Sequence, residues 1–143
     1  MFICNHCPYV KHVMNQLARL PKDYQAKGVS FAAICSNDAK NHPEDAPDKM
    51  KETAQQLGFN FPYLFDETQK IAQAYQAACT PDFYVFDEKL KCVYRGQLDD
   101  SRPGNSVPVT GKDIRHTLDA LLAGKPVSST QKPSVGCGIK WKK

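Results

Sequence analysis

The 143-residue sequence predicts an α/β fold, because strand-like and helix-like segments alternate along the whole chain. Three stretches carry that reading. Phe2-Ile3 runs straight into Cys4-Asn5-His6-Cys7-Pro8, after which apolar residues recur at helical spacing. Residues 29–35 are nearly continuously apolar, as strands of buried parallel sheets are. Residues 82–87 and 92–96 are two strands joined by Glu88-Lys89-Leu90-Lys91, the pattern of an antiparallel hairpin.

Met1-Phe2-Ile3 is shorter than the roughly five or six residues of an ordinary strand. A thiol pair of this kind normally ends a central, buried strand, so the expectation is that residues upstream of Met1 are missing from the chain. Val10, Val13, Met14, Leu17 and Leu20 share one helix face. Pro8 suits the first turn, Pro21 should end or kink the helix, and 23–27 should add a last turn before Gly28. After the strand at 29–35, residues 36–47 read as a polar loop. A helix follows over 48–57, with Met50, Ala54 and Leu57 on one side and Gly58 closing it. Residues 59–65 are aromatic and extended around Pro62, and 68–77 read as a short helix with Ile71, Ala74 and Tyr75 facing inward. Cys79-Thr80-Pro81 leads directly into the hairpin. Beyond a Gly/Pro/Asn/Ser-rich loop at 99–108, Thr110 is the expected N-cap of a helix over 111–123. Its inner face would be Ile114, Leu118, Leu121 and Leu122, with Gly124 ending it. Residues 126–143 form an irregular tail carrying Cys137 and Trp141. With no repeat, low-complexity tract or linker, the chain is expected to be one domain, 1–143.

Composition narrows the function. The net charge of +4 is small and dispersed, which argues against a nucleic-acid partner. No apolar run approaches the roughly 20 residues of a membrane span, and no secretory signal is visible. The expected compartment is the cytoplasm, with an upstream signal left open by the missing start. Six cysteines are too few to build a disulfide scaffold, and only Cys4 and Cys7 are closely spaced. A helix start beneath that pair offers free backbone N–H groups and the positive end of the helix dipole, which stabilise a thiolate. Cys-x-x-Cys also suits metal. Cys4, His6, Cys7, His12 and Cys79 are soft ligands for Zn²⁺ or Cu(I), but a structural zinc site usually brings a second close pair, and none exists here. No resident metal or cofactor is therefore expected.

Phe-Ile-Cys4-Asn-His-Cys7-Pro and Cys79-Thr80-Pro81-Asp-Phe together resemble thioredoxin-like proteins of the redoxin (alkyl hydroperoxide reductase/thiol-specific antioxidant) superfamily. The loop Gly96-Gln-Leu-Asp-Asp-Ser-Arg-Pro-Gly-Asn105 and the terminal Gly136-Cys-Gly-Ile-Lys-Trp141 resemble one branch of that group. The resemblance covers essentially the whole chain. It implies a thioredoxin-like fold, a central mixed sheet flanked by helices on both faces, here truncated at its N-terminus. The strand and helix that usually precede the thiol-bearing strand would be absent. Residues 31–35 would then form an open apolar edge that invites association.

The same resemblance implies a thiol–disulfide oxidoreductase. Cys4 would be the more exposed, attacking thiol and Cys7 the shielded, resolving one. His6 resembles the histidine of the Cys-Pro-His-Cys site in strongly oxidising bacterial disulfide oxidases, with Asn5 in place of proline, and would favour the Cys4 thiolate. The Thr80–Pro81 peptide would be cis, and the backbone of Thr80 would pair with a substrate strand. The alternative is a peroxiredoxin-like peroxidase in which Cys7 attacks peroxide; the arginine it needs would have to be Arg95 or Arg102. Expected partners are protein or small-molecule thiols and disulfides, with peroxide as the alternative substrate, and an external thiol electron donor. Cys79 is most simply a packed side chain, and Cys35 and Cys92 core residues. Cys137 is either a folded-back resolving thiol or inert beside Trp141.

Overall fold

The computed structural model describes residues 1–143. Its elements in chain order are α1 (Pro8–Tyr24), β1 (Ala33–Cys35), α2 (Pro47–Leu57), β2 (Tyr63–Phe65), α3 (Lys70–Tyr75), β3 (Cys79–Thr80), β4 (Phe83–Phe86), β5 (Cys92–Gly96), α4 (Lys112–Leu122) and β6 (Cys137–Gly138).

Phe2 is bridged on both sides. Its N–H donates to the Asp82 carbonyl at 2.8 Å, and Asp82 N–H donates back to the Phe2 carbonyl at 3.0 Å. Opposite, Ile34 N–H donates to Met1 O at 2.9 Å and Ile3 N–H to Ile34 O at 3.0 Å. The Asp82 bridge is antiparallel and the Ile34 bridge parallel. Phe2 thereby joins the parallel pair β1–β2 to the antiparallel pair β4–β5 in one mixed layer, ordered β2, β1, Phe2, β4, β5. β3 pairs separately with β6, antiparallel.

Neighbouring strand residues divide between two clusters, as alternation across a sheet requires. Ile3, Ala33, Cys35, Phe83 and Val85 join the large core, together with Val10, Val13, Leu17 and Leu20 of α1, Met50 of α2 and Ile114 and Leu118 of α4. Phe2, with Ile34 and Tyr84 against it, forms the second cluster with Ala72 of α3, Ala77 and Ile139 of the tail. Helices therefore lie on both faces, as expected.

Several details differ from the sequence reading. The 31–35 segment is not an open edge, because β2 covers it in register from Ala33↔Tyr63 to Cys35↔Phe65. The extended aromatic stretch supplies that strand. α1 runs through Pro21 to Tyr24 and then tightens over Gln25–Lys27, with Gly28 at φ +92° ending it. Pro21 stands near the helix end, where it removes a single rung, and its ring is buried. α3 is shorter than expected and turned differently. Ala72 is buried, whereas Ile71 is 42% and Tyr75 40% exposed. The buried Asp66 carboxylate sets that rotation by accepting the N–H groups of Ile71 at 3.3 Å and Ala72 at 2.9 Å. In α4, Leu122 is exposed. Its cap is Gly111 in the left-handed conformation; Thr110 contributes one residue earlier by accepting Lys112 N–H at 3.3 Å. Cys92 faces solvent at the start of β5, so only Cys35 of that pair is a core residue.

Phe2→Ala removes a fully enclosed ring that meets Tyr75 and Tyr84 edge-on. A loss of about 3–5 kcal/mol is expected, read as a lowered midpoint of urea unfolding. An unchanged midpoint would contradict the central placement of Phe2.

Candidate active site

The thiol pair sits where the short Phe2 strand turns into α1. Cys7 is the N-cap, its carbonyl accepting Val10 N–H at 3.1 Å and Lys11 N–H at 2.9 Å. The first turn of α1 carries no acidic residue to compete for its positive end. The turn between the cysteines is held from outside by Asp45, a completely buried carboxylate in the loop before α2. One Asp45 oxygen accepts Asn5 N–H at 2.8 Å and His6 N–H at 3.3 Å, and the other accepts Asn37 Nδ2 at 2.9 Å. Asn5 is fixed further by donating to Glu44 O at 3.0 Å and accepting Tyr63 OH at 2.9 Å.

Thr80 forms the floor. Its hydroxyl lies 3.5 Å from Cys4 Sγ and its carbonyl 3.5 Å from Cys7 Sγ. The Thr80–Pro81 peptide is cis. On the other side of Thr80 the C-terminal tail returns as β6, in the register Cys79↔Gly138 and Thr80↔Cys137, which brings Cys137 Sγ within 2.7 Å of Cys7 Sγ. Cys4, Cys7 and Thr80 thus meet as the sequence predicts, with Cys137 added.

Exposure differs from expectation. Cys4 is not the solvent-facing thiol; Cys4 and Cys7 both have no exposed surface, whereas Cys137 is partly exposed. The proton is also unevenly held. Hydrogen bonding with Cys4, then with Cys137 and the Val10 N–H, pulls the Cys7 thiol down to about 4 against its burial. Cys4 is pushed far above the thiol range by its bond to Cys7, by burial and by the nearby Asp45 charge. Burial and the bond to Cys7 also raise Cys137. These shifts favour an anion on Cys7 over one on Cys4.

The other candidate residues scatter. The His6 ring contacts the Asp45 carboxylate, lies 3.7 Å from Glu44 and stacks on His42 with centroids 5.6 Å apart. It makes no hydrogen bond to Cys4. His12 Nε2 is 2.7 Å from Ser101 Oγ, and Cys79 Sγ donates weakly to Pro81 O at 3.9 Å, so neither joins a ligand set with the thiol pair. Burial pushes the Cys79 thiol up to about 11. The donor atoms of Cys4, His6 and Asp45 do lie within 4.8 Å of one another, as do those of His6, His42 and Glu44. Arg95 is committed to Gln76 O at 2.7 Å and Asp82 at 3.4 Å, and Arg102 to Asp99 O at 2.7 Å and Ser101 O at 2.8 Å. Neither reaches a thiol sulfur.

Asp45 was invisible in sequence because one carboxylate in a polar loop has no periodicity. Cys137 left a signal in its flanking Gly136 and Gly138, since glycine in a strand marks close backbone approach. A Cβ on Gly136 would stand 1.9 Å from the Thr80 carbonyl oxygen.

Two outcomes follow. Asp45→Ala should loosen the turn, costing about 1–3 kcal/mol in urea unfolding and speeding amide exchange at Asn5 and His6; unchanged exchange would exclude the positioning role. Ultraviolet thiolate absorbance of the reduced protein should persist below neutrality, fall as pH passes through about 4, and vanish in Cys7→Ser. Absorbance appearing only above pH 8 would contradict a resting anion at Cys7.

No helix is long and apolar enough to cross a membrane. The chain matches the Redoxin family model over residues 1–114. No curated protein matches it. Among solved structures it resembles an uncharacterized conserved protein from Geobacillus kaustophilus, at 68% identity and TM-score 0.98, covering 99% of this chain and 75% of that one. A hypothetical protein from Sinorhizobium meliloti 1021 is 48% identical with TM-score 0.97, covering 99% of this chain and 77% of that one. The solution structure of a thioredoxin-like protein in its oxidised form shares the fold, at 21% identity and TM-score 0.66, over 87% of this chain and 76% of that one. With its thiols at the head of α1 and Thr80 beneath them, the chain belongs to the Redoxin family, a thioredoxin-like group of thiol oxidoreductases and peroxidases.

Proposed function

We propose that the chain is a thiol–disulfide oxidoreductase working through a reversible Cys4–Cys7 disulfide. The observation that carries this is the convergence of both sulfurs on Thr80, each 3.5 Å from one of its oxygens. In this reading the two thiols take the opposite roles to those the sequence suggests. Cys7, as the anion, is the nucleophile, and Cys4, as the protonated partner, resolves. In the oxidative half-reaction the Cys7 thiolate attacks a substrate disulfide and expels one thiolate. Cys4 then gives up its proton and attacks the Cys7 sulfur, closing Cys4–Cys7 and releasing the second substrate thiol. An external thiol donor runs the sequence backwards. Thr80 OH, 3.5 Å from Cys4 Sγ, is placed to hydrogen-bond the sulfur as Cys4 deprotonates. His6 has a positioning role through Asp45 and Glu44 rather than through a bond to sulfur.

Peroxide reduction would use the same Cys7 thiolate. Disulfide exchange is favoured because both arginines available to neutralise a peroxide oxygen are engaged elsewhere.

The test is turnover of a small disulfide by a thiol donor. Activity should be insensitive to chelator and fall at least about 1,000-fold in Cys7→Ser. Single-turnover oxidation by hydrogen peroxide should be slower than oxidation by the disulfide. Peroxide reacting faster would select the peroxidase instead, and activity gained only after chelation would select a metal site.

A further inference from the structure

Cys137 closes off Cys7 without being a loose end. Upstream, Gln97 N–H donates to Lys132 O at 3.0 Å, and Ser134 Oγ lies 2.6 Å from Gly96 O. Downstream, Ile139 N–H donates to Ala78 O at 3.1 Å, and the Ile139 side chain is buried against Phe2, Ala72 and Ala77. Lys140 N–H then donates to Asn37 Oδ1 at 2.9 Å, and Lys140 O accepts Asp38 N–H at 2.8 Å. Gly136, pressed on the Thr80 carbonyl, is the point where any side chain would lift the strand. The tail is therefore anchored on both sides of one thiol, and that thiol stands 2.7 Å from Cys7 Sγ. A disulfide needs about 2.05 Å between sulfurs, so a small adjustment closes the bond. Cys137 is also the only member of the cluster that solvent touches.

We propose that Cys137 is a third redox thiol that carries oxidation between the buried pair and an outside thiol, with β6 as the strand that holds it in place. This rests on the Cys4–Cys7 reading. Starting from the Cys4–Cys7 disulfide, Cys137 loses its proton and its sulfur attacks Cys7 Sγ. The Cys7–Cys137 bond forms as Cys4–Cys7 breaks, and Cys4 leaves as a thiolate that takes up the proton. No net oxidant is consumed; the oxidised bond has moved to a sulfur that solvent reaches. A small-molecule or protein thiol then attacks Cys137 and releases the Cys7 thiolate. A second equivalent of that thiol frees Cys137 as the external disulfide departs.

The experiment is non-reducing peptide mapping of the full chain equilibrated in glutathione redox buffers, on wild type, Cys4→Ser, Cys137→Ser and Cys137→Ala. Wild type should contain both Cys4–Cys7 and Cys7–Cys137 peptides, and Cys4→Ser only the latter. Both Cys137 variants should still form Cys4–Cys7 but be reduced by glutathione at least about tenfold more slowly, since an oriented internal thiol is lost. Absence of the Cys7–Cys137 peptide from both wild type and Cys4→Ser overturns the proposal, and wild type requires no variant to fold. Unchanged reduction rates in both Cys137 variants overturn the relay even where that peptide is found. Failure of the Cys137 variants to form Cys4–Cys7 instead overturns the oxidoreductase reading.

Discussion

The two-sided pairing of Phe2 is the constraint from which the site follows. Its antiparallel bridge to Asp82, continued by two residues, brings Cys4 opposite Thr80. The β3–β6 register then sets Thr80 opposite Cys137 on its other side. One residue of β3 is thus flanked by the thiol-bearing strand and by the tail. Cys7 joins them because the chain must turn into α1 directly after Cys4. Backbone hydrogen bonds fix this geometry, and side chains refine it.

The asymmetry of the thiols has an equally local origin. Asp45 holds the turn by accepting two N–H groups, and its charge, close to Cys4, disfavours an anion there. Cys7 has the helix start behind it and Cys137 before it, both favouring the anion. The carboxylate that organises the turn thus adds to the bond with Cys7 and to burial in disfavouring charge on Cys4. A reduced pair stabilised in this way is expected to make the couple oxidising.

Much of this was legible in the sequence. The apolar face of α1 from Val10 to Leu20, the hairpin and the conjunction of Cys-x-x-Cys with Thr80-Pro81 are local patterns, and the structure assembles them as read. Misreadings fell where long-range contacts override local periodicity. α3 takes its rotation from Asp66 rather than from its own apolar residues. Residues 59–65 lack strict alternation, yet they supply the strand that covers β1. Nothing local announces that β6 returns beside Cys7. Only the glycines flanking Cys137 hinted that the tail backbone comes close to another strand.

The measurement that bears most directly on this account is the reduction potential of the Cys4–Cys7 couple, with Cys4→Ser and Cys7→Ser as controls. A thiolate stabilised at Cys7 predicts a potential above that of thioredoxin, about −270 mV, and toward the −120 mV of strong oxidases. A potential at or below the thioredoxin value, or no Cys4–Cys7 disulfide at all, would contradict it.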